Sequence, residues 1–241
     1  MDDRDPRTIG RVFGWFFLAT FLTSIPAYLL YGPVRDDPSL ITGSGADPTA
    51  VVALGATLEI FLIIANVATV VVAYPILKRH SEIGALGYVT ARLVEGIFIA
   101  IGIVSLLTFL FMRQEATGDP ALGEAFVAIY DRAFLVGPGF FAGVANGVIL
   151  GSLMYRSGLV PRGMAVLGII GGPLVMASGI AVMFDVTERG GALQSIATIP
   201  EILWELSLSL YCIVMGFRSS SRDPHVPTVG AEGLEPPTFA L

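Results

Sequence analysis

Residues 83–112 read IGALGYVTARLVEGIFIAIGIVSLLTFLFM, a run in which Arg92 and Glu95 are the only charged side chains. At about 1.5 Å of rise per residue, such a run as a helix is long enough to cross hydrocarbon roughly 30 Å thick. A charge held there costs roughly 2.5–3.5 kcal/mol on insertion scales, so it needs a partner and by default marks a functional site. Arg92 and Glu95 therefore decide two things at once: the stretch is a membrane span, and its interior carries chemistry.

The rest of the chain agrees with the first inference. Of its 241 residues, 54% are hydrophobic and 14% charged, with a mean hydropathy of +0.76, whereas soluble domains carry about 25% charge. Val12 to Val34, Ala133 to Tyr155 and Gly163 to Phe184 are free of charge, and each supplies the roughly 20 apolar residues a spanning helix needs. Two further windows span if their few ionisable residues are sheltered. The expectation is an all-α, six-span transmembrane bundle in one domain over 9–218, with spans at about 10–31, 51–77, 83–112, 133–155, 161–184 and 196–217. Residues 1–8 and the Ser-, Pro- and Gly-rich tail 219–241 are too poor in apolar side chains to order themselves and are expected to be disordered cytoplasmic segments.

Basic residues set the orientation. Arg4, Arg7, Arg11, Lys78, Arg79, Arg156, Arg162, Arg218 and Arg222 fall on one side, against Arg35, Arg113, Arg132 and Arg189 on the other. That bias predicts both termini in the cytoplasm and a multi-pass protein of the plasma (inner) membrane. The first span is too long for a secretory signal and lacks a small-residue cleavage site. Net charge is −6, but nine acidic residues fall in three loops and read as solvated faces, and no basic patch offers a nucleic-acid surface. A single cysteine, Cys212, within the last span, excludes an intrachain disulfide and a CxxC redox enzyme.

Gly139, Gly143, Gly147 and Gly151 recur every fourth residue along the fourth span, and Gly168 and Gly172 repeat the pattern once on the fifth. Small residues at this spacing let backbones approach closely in lipid, so the fourth and fifth spans are predicted antiparallel neighbours. Homo-oligomerisation through the same stripe is the alternative. Pro26 and Pro173 are expected to kink their spans, and Pro75 and Pro200 to mark helix ends. The run Gly137 to Gly143 resembles a dinucleotide fingerprint, but its last glycine is misplaced and no strand precedes it.

Further carboxylates lie in apolar stretches: Glu59 in the second span, Glu201 and Glu205 in the sixth. Glu201, Glu205 and Ser209 share one helix face, as do Glu59 and Asn66. Depths counted from the loop ends put Glu59, Glu95 and Glu205 at a similar level, and Arg92 one turn from it. A polar pocket between the second, third and sixth spans is expected, with Glu201 shallower and nearer the outer water, and with Asn146 adding an amide.

Two readings of this set stay open. In one, Arg92 and a glutamate form a buried bridge that fixes the packing. In the other, one arginine cannot neutralise Glu59, Glu95 and Glu205 together, so a proton or a small cation is held there. Catalytic alternatives narrow by absence, since His80 and His225 are the only histidines and no HExxH or GxSxG motif occurs. No catalytic residue, cofactor or metal site is assigned; Asp36-Asp37 reads as turn chemistry.

Ala91 to Gly96, Tyr155 through Gly168 and Glu201 to Gly216 together resemble the domain of unknown function 4386 (DUF4386) family of bacterial membrane proteins, over roughly residues 8–218. The resemblance implies a six-helix integral membrane protein of unassigned role, and it directs attention to Arg92, Glu95 and Glu205. The expected partners are the lipid bilayer and a small cation or proton. The expected role is binding or transport of a small cation or proton-linked solute, or a membrane scaffold; an intramembrane enzyme acting on a lipid or isoprenoid headgroup with paired carboxylates is the alternative.

Overall fold

Six long helices account for nearly all of the computed structural model, which describes residues 5–218. They are α1 (Pro6–Leu30), α2 (Thr49–His80), α3 (Glu82–Gln114), α4 (Pro120–Ser157), α5 (Arg162–Met183) and α6 (Ala192–Met215), each long and apolar enough to cross a membrane. Among the described residues there is no strand. Leu22, Ile64, Val71, Ile97, Val104 and Phe111 are all more than half exposed on the outside of the bundle. A belt of that kind is unsustainable against water and natural against acyl chains.

The helices outrun the charge-free windows because their ends lie beyond the hydrocarbon, where capping side chains fix them. Asp5 caps α1, accepting from the Arg7 amide with Pro6 at the first helical position, so residues 6–8 belong to a helix and not to a disordered start. Residues 1–4 and the tail 219–241 lie outside the described residues. Asp119 does the same for α4, which begins thirteen residues before the predicted window and carries Glu124, Asp131 and Arg132 on its first turns. Ahead of α2, the Thr49 hydroxyl and amide donate to Asp47 and hold its carboxyl below the usual range.

Pro75 and Pro200 correct the expectation that they end helices: both lie inside, in α2 and α6. The amide bond each one forfeits is tolerated where neighbouring helices cover the backbone.

The fourth span departs most from regularity. Gly137–Phe141 and Gly143–Leu150 are wound as π-helix, with the Ala142 amide donating to the Gly137 carbonyl and the Gly151 amide to that of Asn146, each five residues back. Pro138 has no amide to close the ordinary bond to Phe134, and the glycines that follow accept a wider turn. The wide turn also lets the Asn146 carbonyl accept a second bond, from the Trp204 indole at 2.9 Å.

The spans pack in a ring. α1 lies against α2, α2 against α3, α3 against α4, α4 against α5, α5 against α6, and α6 returns to α1. The last contact closes through Gly10 and Gly14, where an added methyl would meet the Phe217 amide or come within 2.7 Å of the Ile213 amide. Gly10-Arg-Val-Phe-Gly14 is a small-xxx-small signal that the sequence reading passed over. The α4–α5 seam is made by Gly143, Gly147 and Gly151, set against Gly172, Ile169 and Ala165. Gly168 packs on Trp204 of α6, and a methyl on Gly139 would meet only Phe134 and Leu135 of its own helix.

Candidate functional site

Inside the ring, α1, α2, α3, α4 and α6 line a cavity of about 320 Å³. Its wall holds Glu59, Asn66, Arg92, Glu95, Asn146 and Glu205, together with Thr20 and Ser24 of α1. The sequence had placed a pocket among the second, third and sixth spans; α1 and α4 also contribute, and α5 supplies no lining residue.

Arg92, Glu95 and Asn66 form a closed set. Arg92 Nη1 donates to Glu95 Oε2 at 2.8 Å, Arg92 Nη2 to the Asn66 side-chain carbonyl at 2.5 Å, and Asn66 Nδ2 to Glu95 Oε1 at 3.2 Å. All three side chains are buried. Their local origin is simple: one turn of α3 aims Arg92 and Glu95 the same way, and α2 brings Asn66 alongside. The guanidinium also lies 5.8 Å from the centroid of the Phe17 ring on α1. A charged pair in this setting stands because nearly every polar atom has a partner; Arg92 Nε is the exception.

The other two carboxylates on the wall have neutral partners. Glu59 Oε2 accepts from the Tyr31 hydroxyl at 3.0 Å, and Glu205 Oε1 accepts from Asn146 Nδ2 at 2.6 Å. Neither forms an ion pair among the described residues. Tyr31 escaped the sequence reading because it sits 28 residues from Glu59 and tyrosines are ordinary at membrane boundaries.

Glu201 is the correction within the predicted set. It is buried, not water-facing, and it does not line the cavity. Its carboxyl is inserted into the α4–α5 seam, within 2.7 Å of where a methyl on either Gly147 or Gly171 would sit, and neither oxygen has a hydrogen-bond partner among the described residues. Ser209, on the same face of α6, goes to a third place: its carbonyl lies against Gly14 of α1. Three residues of one helix face thus serve three environments, because a helix crossing its neighbours at an angle meets different partners at each turn.

One end of the cavity is bounded by aromatic rings. Tyr28 of α1 and Phe134 of α4 both line it and touch each other, with centroids 5.4 Å apart. Arg35 lies over the Tyr28 ring at 4.2 Å and Arg189 over Phe134 at 5.0 Å. Both arginines pair with Asp131, Arg35 at 3.4 Å. Among the described residues, no three of His, Cys, Asp and Glu are grouped to hold a metal ion.

Neither curated proteins nor solved structures offer a match to this chain. Its family is nevertheless defined: residues 12–216 match the family described as Domain of unknown function (DUF4386), and the chain belongs to it.

Proposed function

We propose that this protein binds a small cation in its central cavity in exchange for protons, as a carrier in the plasma membrane with both termini cytoplasmic. The observation that supports this is the charge balance of the wall: Arg92 is taken up by Glu95, and Glu59 and Glu205 face the same cavity with only a hydroxyl and an amide for partners. Two carboxylates sheltered from water, neither with an ion-pair partner and Glu205 reached by Arg92 only through its longer-range field, hold protons, or hold a positive ligand in their place. Exchange between the two states links binding to proton release, and the Arg92–Asn66–Glu95 set serves as the rigid floor against which it happens.

Vesicles containing the full chain and an internal pH-sensitive dye are expected to report a proton flux when tetramethylammonium is added outside. Glu205→Gln should reduce that flux about tenfold, the scale of one lost charge-assisted contact. Equal traces for the variant and the wild type reject the reading.

A further inference from the structure

Building on the cation-binding reading, we propose that the ligand is an amphiphilic organic cation, an ammonium head on a hydrocarbon tail, admitted sideways from the bilayer between α1 and α4. Size comes first. A volume of about 320 Å³ is some ten times the roughly 30 Å³ share of one water, far more than an inorganic ion fills, and the described carboxylates form no metal cage. The wall is also mixed: beside Glu59 and Glu205 it carries Phe21, Ile25, Leu29, Leu62 and Phe134. Carboxylates suit an ammonium group, aromatic faces suit the same group, and the aliphatic remainder suits what is attached to it.

The route follows from exposure and packing. Ile25 and Leu29 line the cavity and yet are 55% and 68% exposed on the outside of the bundle. They lie on a span, so what they are exposed to is hydrocarbon. α1 is held by α2 and α6 and does not pack along α4; the aromatic contact between the two is Tyr28 with Phe134. The cavity is therefore continuous with the acyl phase along the Phe21–Leu29 flank of α1. Beyond Tyr28 and Phe134, the path to water passes Arg35 and Arg189, two cations sharing the single carboxylate of Asp131. The two touching rings and the arginines laid over them close that end, whereas the lipid flank accepts a ligand that carries a tail.

The test uses the full-length protein in lipid nanodiscs, with uptake by empty discs subtracted. Binding of tetramethylammonium, butyltrimethylammonium and hexyltrimethylammonium is measured by calorimetry. A hexyltrimethylammonium bearing a terminal diazirine is then photolysed, and its adducts are mapped by mass spectrometry. The expected result is affinity rising along the series, by up to about fourfold per methylene, with adducts on residues 21–29 that excess tetramethylammonium suppresses. Ile25→Trp with Leu29→Trp, which fills the flank, should flatten the series by weakening hexyltrimethylammonium more than tetramethylammonium. If tetramethylammonium binds and is lost in Glu205→Gln, but the series is flat or the adducts avoid α1, the amphiphile inference is overturned and the cation reading survives. If no ammonium binds at all, both fall.

Discussion

Arg92 is a buried cation whose hydrogen bonds run to two buried partners, Glu95 and Asn66. Replacing it with leucine leaves Glu95 with one amide partner and the Asn66 side-chain carbonyl without its donor, both on buried side chains. Removing one member of a buried pair costs about 3–5 kcal/mol, while replacing both with apolar groups is often close to neutral. Arg92→Leu should therefore lower the melting temperature in detergent sharply, and Arg92→Leu with Glu95→Leu should recover most of the loss; additive single effects would reject the pairing. Tyr31→Phe is a milder change: it deletes the hydroxyl that donates to Glu59 and keeps the ring against Tyr130. With Glu59 protonated in the unliganded protein, the bond joins neutral groups and contributes about 0.5–1.5 kcal/mol, so a small fall in thermal stability is expected, and no change would mean that Glu59 finds another donor. At this scale the sequence was informative where a charge interrupts an apolar run, which is how Arg92, Glu95, Glu59 and Glu205 stand out. It was silent on Tyr31, Tyr28 and Phe134, because an aromatic residue in a span has no chemical contrast with its surroundings.

At the scale of the element, α4 is where local pattern and outcome diverge. Glycines every fourth residue read as one stripe on a regular helix, but Pro138 opens the turn and the winding that follows is π, so Gly139 drifts off the face that Gly143, Gly147 and Gly151 present to α5. Spacing alone carries no information about winding, whereas a proline inside the span does, because it forfeits an amide bond of the regular ladder. The seam makes a sharp prediction. A methyl at Gly147 would collide with the Gly172 Cα and lie 2.7 Å from the Glu201 carboxyl, whereas one at Gly163 meets nothing within 4 Å. Gly147→Ala should destabilise by about 1–3 kcal/mol, the usual cost of overfilling a packed contact. Gly163→Ala, in the first turn of α5, should be neutral or gain about 0.5–1 kcal/mol from helix propensity. Parallel thermal melts decide it, and equal behaviour of the two variants would remove the seam as the reason α4 and α5 stay together.

For the whole molecule, the decisive contact is the one between the two ends of the chain. Short loops impose the neighbours α2–α3 and α4–α5, and three charge-free windows with three more that carry only one or two charges impose six crossings, so span number was legible from composition alone. Closure of the ring was not, because it joins residues some two hundred positions apart and is written only in Gly10, Gly14 and Gly216. Gly216 adopts a φ of 70° just beyond α6, and a methyl there would strike the Arg7 backbone; the chain must reverse at that point to leave Phe217 beside Phe13, with centroids 5.4 Å apart. The cavity depends on this closure, since α1 supplies its Thr20–Leu29 wall and is held in place chiefly by α2 and α6. Gly14→Leu should push α1 away from α6 by forcing a side chain against Ile213 and Cys212, with the six helices still inserted. The expected signature is native helix content by circular dichroism, a lowered melting temperature and loss of ammonium binding in nanodiscs. Gly14→Leu binding as tightly as wild type would show that the cavity keeps its shape without the α1–α6 contact, and the ring would then be a consequence of the fold and not a condition of the site.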